Sequence, residues 1–177
     1  MTDGIRDENV GFVKMLKIRR FKESDLDGVY ETITLAFETA SIAKVYEPDK
    51  FKIWHDMYTK EGILNYAKQR HMYVAVYNEK IVGCAAVSPM KPMTAFVSCV
   101  YVNKNYQGMG IAHKLIEALE KDEISQNAGK MLLHAILTAK TFYEKIGFHI
   151  EESFPEIIYD TGVEVIQLVK EVNHSAH

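Results

Sequence analysis

Tyr101-Val-Asn-Lys-Asn-Tyr-Gln-Gly-Met-Gly-Ile-Ala-His113 decides the reading of this chain. A hydrophobic run, residues 95–102, leads into it, and an amphipathic run, residues 111–120, leads out. The first run predicts a strand. The second predicts a helix whose buried stripe is Ala112, Leu115, Ile116 and Leu119. A strand that ends, a turn carrying Gly108 and Gly110, and a helix that starts at once suit an anion. The first turn of a helix leaves its backbone N–H groups without intrahelical acceptors, and the helix dipole adds positive charge there. Glycines let a phosphate approach the backbone closely. The turn does not fit G-x-G-x-x-G, because position 113 is His, and it comes late in the chain. The G-x-x-x-x-G-K-[ST] loop is absent. Two readings stay open on the glycines alone: a pyrophosphate cradle and a plain tight turn.

Composition narrows the class. With 177 residues the expectation is one domain, residues 12–172, behind a flexible tail, residues 1–11. A net charge of -3 offers no basic field, so no nucleic-acid partner is expected. No stretch has the roughly 20 consecutive apolar residues of a membrane span, so no membrane partner is expected. The polar, acidic first ten residues do not read as a secretory signal. Cys84 and Cys99 sit in apolar runs and read as reduced buried thiols of a cytoplasmic protein. Without CxxC or HExxH, no metal is expected.

Outward from the turn, residues 72–77 and 81–87 form a hairpin pattern around Asn78-Glu79-Lys80. Upstream, residues 12–20 predict a first strand, and Ser24-Asp-Leu-Asp27 opens a helix with Leu26, Val29, Tyr30, Ile33 and Phe37 on one face. Residues 39–49 predict a loop, and about 49–66 a second helix carrying Phe51, Trp54 and Tyr58, with a break at Gly62. Downstream come a polar connection at 121–129, a strand at 131–136 and a short helix at 138–145 ended by Gly147. Strands at 148–151 and 163–169, with a turn at Asp160-Thr-Gly162, complete the sheet. A strand–helix–strand crossover makes 94–102 and 131–136 parallel neighbours in a mixed sheet.

Gln107-Gly-Met-Gly-Ile-Ala112 resembles the Q/R-x-x-G-x-G/A signature of the GCN5-related N-acetyltransferase (GNAT) superfamily. Val100-Tyr-Val-Asn-Lys-Asn-Tyr106 resembles that family's L-Y-V-x-P-x-Y, with Lys-Asn in place of x-Pro. Leu137-Thr-Ala-Lys-Thr-Phe-Tyr-Glu-Lys-Ile-Gly-Phe148 is similar to its A-x-x-F-Y-E-K-x-G-F segment. The resemblance implies an α/β (α+β) GNAT fold. Its mixed, mostly antiparallel sheet of about seven strands would splay between strands 4 and 5, flanked by about four helices. It implies acetyl-CoA as co-substrate and a primary amine of a small molecule or peptide as acceptor, attacked directly in a ternary complex. Homodimers are frequent in the family, so a homodimer is a further expectation.

Residue by residue, the resemblance makes Gln107, Gly108, Met109, Gly110, Ile111, Ala112 and His113 the pyrophosphate cradle, through backbone N–H groups. The His113 side chain itself is expected at the surface. Val100 and Val102 would pair their backbone with the pantetheine arm. Tyr143 matches the tyrosine that protonates the departing thiolate, and a phenol of pKa about 10 suits that task. Lys140 or Lys145 could meet the adenosine 3′-phosphate.

Two positions depart from the family pattern. Ile136 stands where an Asn or Ser often touches the pantetheine. Residues 94–102 hold no carboxylate to act as general base. An alkyl amine of pKa about 10.4 is only about one part in a thousand neutral at pH 7. His134 is the first candidate to take its proton, with Ser98 through water and Cys99 behind it. Tyr30, Phe37, Glu38, Glu47, Trp54, His55 and Tyr58 are the acceptor-pocket candidates. A CoA-binding module without turnover, or a transferase of another acyl group, are the rival readings.

Overall fold

The computed structural model describes residues 15–38, 56–151, 156–158 and 164–174. The tail at 1–11, the loop at 39–49, the turn at 160–162, and Glu47, Trp54 and His55 lie outside the described residues.

Strand β1 spans Lys17–Arg20. A 3-10 turn, Glu23–Asp25, follows, tied down by Asp25. Its carboxylate accepts the Lys22 N–H at 2.8 Å and the Arg19 guanidinium through two bonds of 2.6 and 2.8 Å. Helix α1, Leu26–Phe37, buries Val29, Ile33, Ala36 and Phe37 at the predicted spacing. Helix α2 runs Lys60–Gln69, ending later than the sequence suggests. The Thr59 Oγ1 accepts the Gly62 N–H at 3.0 Å, a side-chain cap that places Gly62 in the first turn, so the break falls at residues 57–59 and not at Gly62. Residues 49–55 of the expected helix lie outside the described residues.

Strands β2, His71–Tyr77, and β3, Lys80–Met90, meet at a two-residue turn. Asn78 and Glu79 have φ of 48° and 62°, the signs a type I′ hairpin needs. Strand β4 is Thr94–Val102, and helix α3 is Ile111–Glu120. The connection after α3 holds a single helical turn, α4, Glu123–Gln126. Strand β5, Lys130–Ala135, and helix α5, Lys140–Lys145, follow. Strands β6, His149–Ile150, β7, Glu156–Ile158, and β8, Glu164–Glu171, close the chain. β7 is the strand not anticipated, since three residues are too few to show an alternation.

The sheet order is β1-β2-β3-β4-β5-β8-β6, with β7 also on β8. Among the described residues only β4–β5 is parallel. Alternation sends side chains into two cores. On one face, Ala75, Val87, Val97, Met131 and Leu133 pack with Ile111, Leu115, Ile116 and Leu119 of α3. On the other, Met72, Val74, Cys84 and Ala86 pack with Val29, Ile33 and Phe37 of α1 and Ile63 of α2. Gly83 lets α3 press close: a Cβ there would lie 2.9 Å from Ile111 Cγ2. This contact seats the first turn of α3 directly beside the end of β4.

Asp122 anchors the other end of α3. Its side chain is 2% exposed. It accepts from the Tyr73 hydroxyl at 2.7 Å, the Ile124 N–H at 2.9 Å and the Arg20 guanidinium at 3.4 Å, and its oxygens lie 2.9 Å from His71 Nδ1. Burial pushes the carboxyl up, but Tyr73, Ile124 and His71 together hold it below the usual range. Its stabilisation is therefore complete above the unfolded pKa of about 3.9 and is lost as pH falls through the lower folded value. Asp122→Ala should cost about 2–3 kcal/mol at neutral pH, because several donors lose their acceptor at once. Thermal unfolding should show a Tm drop of roughly 5–10 °C, shrinking as the pH is taken below about 4.

Candidate active site

The turn before α3 is built from both sides. The Asn103 N–H donates to Val82 O at 2.9 Å, holding the end of β4 to β3. Asn103 Oδ1 then accepts the Asn105 N–H at 3.0 Å, and Asn103 O the Tyr106 N–H at 2.9 Å. Gln107 folds back, its Nε2 donating to Val102 O at 3.2 Å. Gly108 and Gly110 have φ of 76° and 80°, where a side chain is strained. A Cβ on either would meet nothing within 4 Å. The glycines therefore serve backbone shape and open space, not close protein packing. The Lys114 N–H donates to Gly110 O at 3.1 Å, so the N–H groups of Ile111, Ala112 and His113 precede the first intrahelical bond. The His113 side chain is exposed, with Nε2 3.7 Å from Glu117.

Beside this turn the sheet opens. The β4–β5 ladder ends at Val97↔Leu133. Just beyond, Cys99 and Val100 together face the single residue Ala85, a β-bulge, and Cys99 takes φ of 56°. The bulge resets the alternation. Cys99 and Tyr101 join the α1–α2 core, while Val100 and Val102 pack toward α3. Since Asn103 donates to β3, the amide groups of Val100 and Val102, an even number of residues apart, face the opened side. Cys84 and Cys99 are buried free thiols, Cys84 Sγ lying 3.5 Å from Cys99 O. The neighbouring Cys99 side chain, with burial, pushes the Cys84 thiol up.

The two catalytic candidates fall on opposite faces of the sheet. Tyr143 lies in the α3-side core, between Phe142 and Phe148 at ring distances of 5.0 and 5.8 Å. Burial pushes its phenol well up. Among the described residues its hydroxyl has no hydrogen-bond partner. His134 follows Leu133, the last β5 residue paired with β4, and turns to the other face, edge-on to Phe96 at 5.3 Å. Its Nε2 is 3.0 Å from Gln167 Oε1. The Gln167 amide donates to Glu151 Oε2, and Glu151 Oε1 accepts from Lys130 at 2.7 Å. Because Glu151 takes the amide N–H, the Gln167 oxygen faces His134 and selects the tautomer protonated at Nε2. Burial lowers the His134 pKa and the Gln167 contact raises it, for a net decrease.

Other candidates divide. Lys140 is ion-paired with Glu144 at 2.7 Å, and Lys145 is exposed. Ser98 is on the His134 face and accepts a short bond from the Tyr66 hydroxyl. Phe37, Tyr58 and Tyr101 cluster there with ring distances of 5.3 to 6.0 Å, and Tyr101 donates to the Tyr58 hydroxyl at 3.1 Å. Tyr30 lies at the rim of the same core, beneath the Lys60 ammonium, and Glu38 is exposed in a pair with Lys104. Tyr66, Arg70, Gln167 and Glu151 escaped the sequence reading. Tyr66 and Arg70 carried the one usable signal, an i,i+4 aromatic–arginine pair at a helix end. Among the described residues no cluster could hold a metal ion and no helix could cross a membrane.

A family model described as an acetyltransferase (GNAT) domain matches residues 42–172. The structure is similar to PaiA N-acetyltransferase from Thermoplasma acidophilum, solved in complex with coenzyme A, at TM-score 0.73 and 19% identity, covering 88% of this chain and 98% of that one. A GCN5-related N-acetyltransferase from Rhodopseudomonas palustris gives TM-score 0.73 at 18% identity over 88% and 94%. An acetyltransferase of the GNAT family from Staphylococcus aureus gives 0.64 at 18% over 89% and 99%. At such identities these structures speak for the fold. A search of curated proteins found no match.

Proposed function

The chain belongs to the GNAT acetyltransferase family, and on that premise we propose that it moves an acetyl group from acetyl-CoA to a primary amine by direct attack in a ternary complex. The observation that carries this reading is one of position. The open glycine turn at the start of α3 stands beside the splayed edge of β4, where Val100 and Val102 turn their amides outward. A diphosphate joined to an amide-bearing arm needs both features, side by side. That the Thermoplasma acidophilum relative was solved with coenzyme A adds support.

Acetyl-CoA supplies the activated acetyl thioester. The backbone N–H groups from Gln107 to His113 bind its diphosphate, and Val100 and Val102 orient the arm. Lys140 could reach a phosphate only by leaving Glu144. On the opposite face His134 is neutral at neutral pH, since burial disfavours its charged form. Its Nε2 is held by Gln167, and the neutral imidazole is the group that takes the amine proton in this reading. Tyr143 keeps its own proton through neutral pH, because burial raises its pKa, and holds it where a leaving sulfur can take it. The splay beyond the Val97–Leu133 pair is the passage connecting the two faces.

The test is a panel of amines, amino acids, polyamines and peptides with acetyl-CoA, read by thiol release and by mass of the product. Acetylated amine appearing with stoichiometric thiol supports the reading. The lack of a carboxylate along β4 and the apolar Ile136 favour one rival, a CoA-binding module without turnover. CoA binding by calorimetry with no thiol release across the panel would select it. Absence of both would remove the proposal. Competition between acyl-CoAs of different length separates acetyl from longer groups.

A further inference from the structure

We propose that Arg70 is the carboxylate-binding residue of the acceptor site, and that the acceptor is a small amino carboxylic acid. This deepens the acetyltransferase reading and rests on it.

Arg70 joins α2 to β2, and the sheet register places it precisely enough to be useful. His71 pairs with Val87, and Val87 with Val97, the last β4 residue in the ladder to β5. Arg70 therefore stands one row from the point where the sheet opens. Alternation sets its direction. His71 and Tyr73 point to Asp122 on the α3 side, and Met72 and Val74 to the α1–α2 core. Arg70, in step with Met72, belongs to the α1–α2 face, with Phe96, Ser98 and His134.

The contacts agree. The guanidinium carbon lies 3.9 Å from the Tyr66 ring centroid, a stacked cation–π pair. The Tyr66 hydroxyl in turn donates to Ser98. One tyrosine ring thus separates the guanidinium from the strand where the β4–β5 ladder stops. Arg70 Nε is fully enclosed and has no hydrogen-bond partner among the described residues. The other two described arginines are paired, Arg19 with Asp25 at 2.6 Å and Arg20 with Asp122 at 3.4 Å. A half-buried guanidinium held flat on an aromatic ring, with no described carboxylate, is a fork prepared for a planar anion.

The anion is the acceptor's and not the donor's. The cradle for the diphosphate is at the start of α3, on the other face and at the other end of β4. The reacting amine belongs near His134 and Ser98, and the Tyr66 ring that Arg70 covers reaches Ser98, so a carboxylate on Arg70 shares a face with the amine. A single carboxylate on the acceptor suits that face better than a polyamine, whose second charge Arg70 would repel.

The experiment uses amines paired by the presence of one carboxylate: phenylalanine with 2-phenylethylamine, lysine with 1,5-diaminopentane, alanine with ethylamine. Thiol release is measured for the native protein, Arg70→Met, which keeps the stem on Tyr66, and Arg70→Lys. The native protein should prefer a carboxylated member. Arg70→Met should raise its KM roughly 10- to 100-fold, with kcat little changed and Arg70→Lys intermediate. Turnover of the uncarboxylated partner, and CoA affinity, should not move. The proposal is overturned if the native protein favours the uncarboxylated member in every pair. It is equally overturned if Arg70→Met lowers both members alike, which marks Arg70 as a prop for Tyr66 alone. Should CoA bind but no amine release thiol, the transferase reading fails separately, and calorimetry of each pair on CoA-saturated protein decides Arg70. Carboxylate-dependent binding lost in Arg70→Met supports it, and no binding by any member overturns it.

Discussion

Gly110→Glu is expected to abolish CoA binding while leaving the protein folded. Gly110 sits at φ 80°, and its missing Cβ faces open space. A glutamate there costs about 1–2 kcal/mol of left-handed backbone strain, small beside the stability of a domain. The effect on the ligand is far larger. The new carboxylate occupies the volume in which the diphosphate must lie and repels it. It is also drawn onto the N–H groups of the first turn of α3, the same donors the diphosphate needs. Calorimetry should show at least a 100-fold weaker CoA affinity, with a Tm within a few degrees of the native value. Gly110→Ala adds the strain and a methyl group without the charge, and should weaken binding by about tenfold. Native-like affinity in Gly110→Glu would dismiss the cradle.

Tyr143→Phe is expected to lower kcat by roughly 100-fold or more with CoA affinity unchanged. The aromatic ring keeps its contacts with Phe142 and Phe148. The lost hydroxyl has no hydrogen-bond partner among the described residues, so stability should hold and the fall in rate can be assigned to chemistry. The pH profile adds a second readout. The raised Tyr143 pKa keeps its proton in place throughout the neutral range, so no alkaline limb from this group should appear below about pH 10. His134 has a lowered pKa and works deprotonated, so the rate should rise with pH through a value below about 6.5 and then level. Tyr143→Phe should retain that acidic limb. A variant with native kcat would leave Tyr143 as a core residue.

Much of this was legible because it is local. The type I′ turn at Asn78-Glu79, the apolar stripe of α3 and the glycines before it each depend on a few neighbours. The family motifs around Gln107 and Tyr143 added the order of the sheet and the expectation of a splay. The break in the second helix was put at Gly62, whereas residues 57–59 are not helical and Thr59 caps a helix that starts at Lys60. The short β7 was missed because its pairing with β8 is what makes it a strand.

Sequence by itself determined the glycine turn and the helix behind it, since positive φ and a 3.6-residue apolar period are written in consecutive residues. It left His134 free to face either way. Only the tertiary structure decided that His134 and Tyr143 stand on opposite faces, and that Gln167 and Glu151 fix the imidazole tautomer. Only it brought Arg70, Tyr66 and Ser98 together, with Tyr66 and Ser98 32 positions apart in sequence. The physical reason is that these contacts are set by pairings between distant segments: β5 against β8 puts His134 opposite Gln167, and α2 packed on the sheet puts Tyr66 against Ser98. The bulge at Cys99, one extra residue against Ala85, likewise exists only in the pairing of two strands, and it sets which side Val100 and Val102 present.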